Sequence, residues 1–160
     1  MEKTPKSARK NLHNPSIGIT AVLVTDQFHC ERLIHGGRVV ADITSTELCV
    51  LNIQNNAFPA NPEAIQYLFN ASAQDKATMQ LLYSDNAFKT ISQYIKENKV
   101  CCVVSGMPGG ANSILHKIWN KFPRVHFFTV NEDGKMEEVI HRKTHGVPQE
   151  NREQQKISAG

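Results

Sequence analysis

No apolar run in this chain of 160 residues approaches the roughly 18 uninterrupted residues that a membrane-spanning helix requires. The stretch from Met1 to Asn14 is polar and basic, with no apolar segment behind it to serve as a secretory signal. These absences set a cytosolic location, with no membrane insertion, as the expectation. The four cysteines, Cys30, Cys49, Cys101 and Cys102, contain no Cys-x-x-Cys pair, which removes the common zinc and dithiol arrangements. They read instead as small, reduced core residues. His35, His116 and His126 lack the His-Glu-x-x-His spacing of a metallohydrolase, so no metal site is expected.

A continuous basic face is missing too. The net charge is +3, and it resides at the chain ends. Residues 1–16 set Lys3, Lys6, Arg9 and Lys10 against Glu2, and residues 142–160 set Arg142, Lys143, Arg152 and Lys156 against Glu150 and Glu153, which leaves the body between them slightly acidic. Basic ends on an acidic body do not make a nucleic-acid groove, which needs clustered cations and stacking aromatics on one face. Nucleic acid is therefore not an expected partner. The expected organisation is a basic tail over 1–16, a single α/β domain over 17–141 and a polar tail over 142–160, with both tails disordered. A domain of this size buries a core without disulfides or a metal.

What the body does contain is an alternation of short β-branched runs with amphipathic stretches, the signature of repeated βα units around a parallel sheet. Five strands are predicted: Ile19 to Thr25, Glu47 to Ile53, Thr78 to Tyr83, Val100 to Ser105 and Arg124 to Val130. Between them, a helix over Glu31 to Ile43 turns Leu33, Gly37, Val40 and Ala41 inward, and the Gly36–Gly37 pair lets it lie close to the sheet. Asn61 followed by Pro62 gives an N-cap and a first helical position, opening a helix with Ile65, Leu68 and Phe69 inward. Ser84 and Asp85 cap a third helix that presents Phe88, Ile91 and Ile95 and stops at Asn98. A fourth helix spans Asn112 to Phe122, with Ile114, Leu115 and Ile118 inward. Beyond the fifth strand, Glu132-Asp133-Gly134 is a turn signal, and Lys135 to Ile140 is expected to return as a hairpin strand.

In an open parallel sheet, ligands bind outside the carboxyl ends of the strands where the strand order reverses. That rule selects the polar segment Thr25-Asp26-Gln27-Phe28-His29 after the first strand and the segment from Gly106 to Ser113 after the fourth. Gly106, Gly109 and Gly110 permit close backbone approach to a ligand, and the start of the following helix favours an anion such as phosphate. Asn112 and Ser113 add side-chain donors. The same residue types also suit a plain turn and helix cap, and neither GxGxxG nor GxxxxGK[ST] is present.

The strand ending in Thr25-Asp26 and the sequence Val103-Val104-Ser105-Gly106-Met107-Pro108-Gly109 resemble the universal stress protein family. Cys30-Glu31-Arg32-Leu33-Ile34 with Glu47-Leu48-Cys49-Val50-Leu51-Asn52-Ile53 is similar to the stress-protein-like domain of bacterial potassium-sensor histidine kinases. The likeness covers about residues 17 to 130. It implies a Rossmann-like sheet of order 3-2-1-4-5 with helices on both faces. It also implies ATP or another adenine nucleotide bound through Thr25, Asp26, Ile53, Gly106, Gly109, Gly110, Asn112 and Ser113. Nucleotide-binding members follow Gly-x-x-Gly with a spacer and a Gly-Ser or Gly-Thr pair. At that spacing this chain has Trp119 and Asn120, and Ser113 stands where the family's hydroxyl would be if the helices are aligned. Some kinase-associated relatives take a cyclic dinucleotide through a Phe-x-Ala-x-Tyr element, of which Phe58 and Ala60 are present without the tyrosine, so cyclic di-AMP is a variant of the same expectation.

Asp26 and His29 are the titratable pair nearest the candidate cleft. Loop residues of this kind are commonly solvated, and no catalytic role beyond weak nucleotide hydrolysis is expected. Trp119 is expected to pack in the core or at a subunit contact. The fifth strand would be an exposed edge, which suggests a homodimer through that strand and the hairpin, with a signalling protein as a further partner. Two functions follow: a nucleotide-binding regulatory module, or a dimerisation and interaction module whose phosphate loop is degenerate.

Overall fold

A computed structural model describes residues 17–25, 27–55, 57, 61–109 and 113–140. The strands are β1 (Ile19–Val24), β2 (Glu47–Gln54), β3 (Thr78–Tyr83), β4 (Val100–Ser105), β5 (His126–Val130) and β6 (Met136–Glu138). The helices are α1 (Glu31–Thr44), α2 (Pro62–Gln74), α3 (Ala87–Glu97) and α4 (Ile114–Lys121), with a short 3-10 turn at Gln27–His29. One sheet runs β3-β2-β1-β4-β5-β6. Its first five strands are parallel, in the order 3-2-1-4-5, and β6 pairs antiparallel to β5. Val22 lies opposite Val50 on one side and Val104 on the other, so β1 is the centre of the sheet.

Burial explains the strand sequences. The central strands β1, β2 and β4 are buried almost throughout because both faces are covered. The edge strand β3 alternates exposed and partly covered positions. On one face, Leu33, Ile34, Val40 and Ala41 of α1 and Leu68 and Ala71 of α2 pack on Val22, Val24, Leu48 and Val50. On the other, Ile91, Tyr94 and Ile95 of α3 and Ile118 of α4 pack on Leu23, Leu51, Val103 and Phe127. Helices therefore cover both faces. Gly37 sets the approach of α1: a Cβ there would collide with Val22 and stand 2.9 Å from Leu48 Cδ1.

Three helix-to-strand turns pass through a left-handed residue that is not glycine: Ser45 before β2 (φ 58°), Lys76 before β3 (φ 57°) and Lys99 before β4 (φ 53°). The Ser45 N–H donates to the Ala41 carbonyl, and the Lys99 carbonyl accepts from the Ile19 N–H at 3.0 Å. At the other end of the sheet, Asn131 closes the β5–β6 hairpin, its Oδ1 accepting from the N–H groups of Asp133 and Lys135, both at 2.9 Å. Gly134 takes the positive φ (86°) that this turn needs.

Several sequence expectations shift. Phe69 does not face the core but is 55% exposed, because Ala64, Leu68, Ala71 and Ser72 form the inner face of α2. Ile114 is likewise partly exposed, and Ile118 alone of α4 is buried. The N-cap of α3 is Asn86, which accepts from Lys89 N–H at 3.1 Å, while the Ser84 hydroxyl accepts from the Asn86 N–H. Helix α4 starts at Ile114, two residues later than predicted from Asn112. β5 starts at His126, since a turn bonds Val125 N–H to the Phe122 carbonyl. The hairpin strand is shorter than Lys135 to Ile140, and it covers β5 from Phe128 to Val130, so β5 is not the edge of the sheet there. Both predicted tails lie outside the described residues. Among the described residues no helix is long and apolar enough to cross a membrane.

Candidate functional site

The chain leaves β1 toward β2 and leaves β4 toward β5, so the connections from these adjacent strands diverge in opposite directions. Divergence opens a cleft at the carboxyl ends of the two strands, the topological switch point. A broad groove of about 1370 Å³ lies there, with Thr25 after β1 and Ser105 and Gly106 at the end of β4 among its lining. Its walls include the first turn of α1, the segment Met107 to Gly109, the start of α4 and the β5–β6 turn.

The structure places the predicted residues unequally. Thr25, Gly106, Gly109 and Ser113 all line the groove. Asp26, Gly110 and Asn112 lie outside the described residues, as do Phe58 and Ala60. Ile53, half-buried near the end of β2, packs with the cluster beneath α3 and α4 and does not line the groove. Ser113 is the N-cap of α4, its Oγ accepting the Leu115 N–H at 3.0 Å. The hydroxyl proton remains a donor in this arrangement. Among the described residues nothing lies within 4 Å of where a Cβ on Gly109 would be, so their packing does not demand a glycine there.

Arg32 is the functional candidate that pattern reading passed over. It belongs to the first turn of α1, where the helix dipole disfavours a cation. Compensation comes from two main-chain carbonyls: Nε donates to Asn131 O at 2.9 Å and Nη1 to His29 O at 2.8 Å. The side chain thus ties α1 to the β5–β6 turn, and its Nη2 lies 3.8 Å from the position of a Cβ on Gly106. A cation in a helix's first turn was the available signal, but its meaning depends on Asn131, 99 residues away.

Glu31, beside Arg32, accepts a hydrogen bond from the Tyr67 hydroxyl. That bond to the carboxylate, with some desolvation, pushes the phenol up to about 12. Phe28 packs against Tyr67 in a tilted arrangement, ring centroids 5.5 Å apart and planes at 50°. Below them Asn52, fully buried on β2, donates to Val24 O at 2.6 Å and accepts from Gln54 Nε2. These side-chain amides stiffen the carboxyl end of β1 and β2, the platform from which the first wall of the groove rises. No family model and no curated protein matches the chain.

Proposed function

We propose that this protein is a regulatory module that binds an adenine nucleotide in the groove between the ends of β1 and β4, in the manner of the universal stress proteins its sequence resembles. The observation that carries this reading is the strand order 3-2-1-4-5, which brings Thr25 beside the Gly106 loop at the one place where connections diverge. Gly106 and Gly109 allow backbone approach, Ser113 supplies a hydroxyl at a helix start, and Arg32 supplies positive charge. The reading assigns the chain a cytosolic signalling role, with at most weak nucleotide hydrolysis. Pairing of two copies belongs to the same reading. Since β6 already occupies part of the outer edge of β5, a second copy would meet the hairpin, and a monomer in light scattering at micromolar concentration would remove the dimer.

The test is a calorimetric and thermal-shift titration with ATP, ADP, AMP and cyclic di-AMP. A ligand at about 100 times its Kd stabilises the native state by about 2.7 kcal/mol. Saturable binding of one of these ligands is the expected outcome. Gly109→Asp, at a position with nothing within 4 Å of its Cβ among the described residues, should abolish binding while leaving the unfolding transition in place. Absence of any shift would favour the other reading, an interaction module with a degenerate loop.

A further inference from the structure

Among the described residues that line the groove, Arg32 is the one permanent cation, and Glu31, Glu132 and Asp133 are the carboxylates. Two of the five guanidinium N–H groups are spent on the uncharged acceptors Asn131 O and His29 O. No ion pair joins Arg32 to a carboxylate among the described residues, and Glu31 is engaged by the Tyr67 hydroxyl. The guanidinium is therefore fixed in direction at one edge and keeps donors on Nη1 and Nη2, the latter beside Gly106.

We propose that Arg32 seats a single phosphate group next to Gly106, and that Glu132 and Asp133 restrict the site to a nucleoside monophosphate in preference to the di- and triphosphate. The proposal rests on the adenine-nucleotide reading above and narrows it. One phosphate dianion matches one tethered guanidinium, whose remaining donors form a charge-assisted contact. Each further phosphate adds negative charge in a groove whose described lining holds no second permanent cation and whose β5–β6 turn carries two carboxylates. Like charges repel, and Glu132 and Asp133, both exposed, line the same groove as Arg32 and Gly106.

Calorimetry on the full chain with adenosine, AMP, ADP and ATP tests this, without divalent cations that would screen the carboxylates. AMP should bind most tightly of the three nucleotides. Arg32→Gln should weaken AMP by about 10- to 100-fold with little change for adenosine, and Arg32→Lys, which keeps the charge but not the fork, should fall between. The double variant Glu132→Gln, Asp133→Asn should improve ATP relative to AMP by about tenfold. Should Arg32→Gln fail to fold, since it also frees α1 from the hairpin turn, the acidic pair and the wild-type ranking decide the matter. ATP binding as tightly as AMP in the wild type, or Arg32→Gln weakening adenosine and AMP alike, overturns the monophosphate site and leaves the adenine-nucleotide reading standing. Absence of heat with adenosine and all three nucleotides overturns both.

Discussion

On one face of the sheet, α1 buries Leu33, Ile34, Gly37, Val40 and Ala41 along its length; on the other, α4 buries Ile118 alone. The first helix is seated through a glycine whose replacement would strike Val22 and Leu48, and it is tied at its start by Arg32. The second rests on one isoleucine, with Leu115 and Trp119 partly covered. Both helices flank the groove, so one wall is built on a close-packed face and the other on a sparsely anchored helix. Few buried contacts mean a low local opening free energy. The α4 wall is thus the one expected to open at lower cost, against the close-packed α1 wall.

The largest expected effect tests that asymmetry at its weak point. Ile118→Ala should destabilise by about 2–5 kcal/mol, the range for emptying a buried isoleucine site. Native-state hydrogen exchange should show α4 opening ahead of the rest of the chain. Exchange that rises uniformly would mean that the two faces unfold as one.

Asn52→Ala should cost about 1–3 kcal/mol, because it strands the Val24 carbonyl and Gln54 Nε2 in a buried setting. Urea unfolding should show this as one cooperative transition moved to lower denaturant. Gly37→Ala should cost up to about 2 kcal/mol, the overpacking penalty less the gain in helix propensity, again as a global loss visible in urea. An increase in stability would show that α1 can lift from the sheet without harm.

The two faces also differ in how they hold a tyrosine. Tyr94 donates to Cys49 Sγ at 3.1 Å, and burial pushes its phenol well above the ordinary range. Tyr67 is held at about 12, chiefly by its bond to Glu31. A folded pKa above the unfolded value, about 10, gives stability that is complete below pH 10 and lost as pH rises through about 12. Tyr67→Phe should therefore flatten part of the alkaline decline in melting temperature, the smallest effect of the series. An unchanged pH profile would show that this hydrogen bond adds nothing to stability.

Much of the architecture was legible because each local signal agreed with the fold. β3 and β4 fall where their apolar runs lie, and Asn61-Pro62 opens α2 as cap and first residue. Errors came where tertiary contact outranked pattern. Phe69 suits an apolar stripe, yet Ala64, Ala71 and Ser72 let α2 sit nearer the sheet with the large ring outside. The hairpin strand was legible from the Glu132-Asp133-Gly134 turn, but its length was not: β6 spans only Met136–Glu138 and covers β5 from Phe128 to Val130, where an exposed edge was expected. In the groove, the glycine loop and Thr25 could be read from the rule that ligands bind at strand-order reversals. Arg32 could not, because its donors are organised by carbonyls that only folding brings near.

The left-handed residues Ser45, Lys76 and Lys99 lie at the amino ends of β2, β3 and β4, while the groove lies at the carboxyl ends. A glycine at such a position relieves a conformational cost of about 1–2 kcal/mol against an entropic cost of about 0.5–1 kcal/mol. Ser45→Gly, Lys76→Gly and Lys99→Gly therefore offer a route to a more heat-tolerant scaffold that leaves the ligand end untouched. The two ends of the sheet are separable for engineering: one can be hardened while the other is retuned.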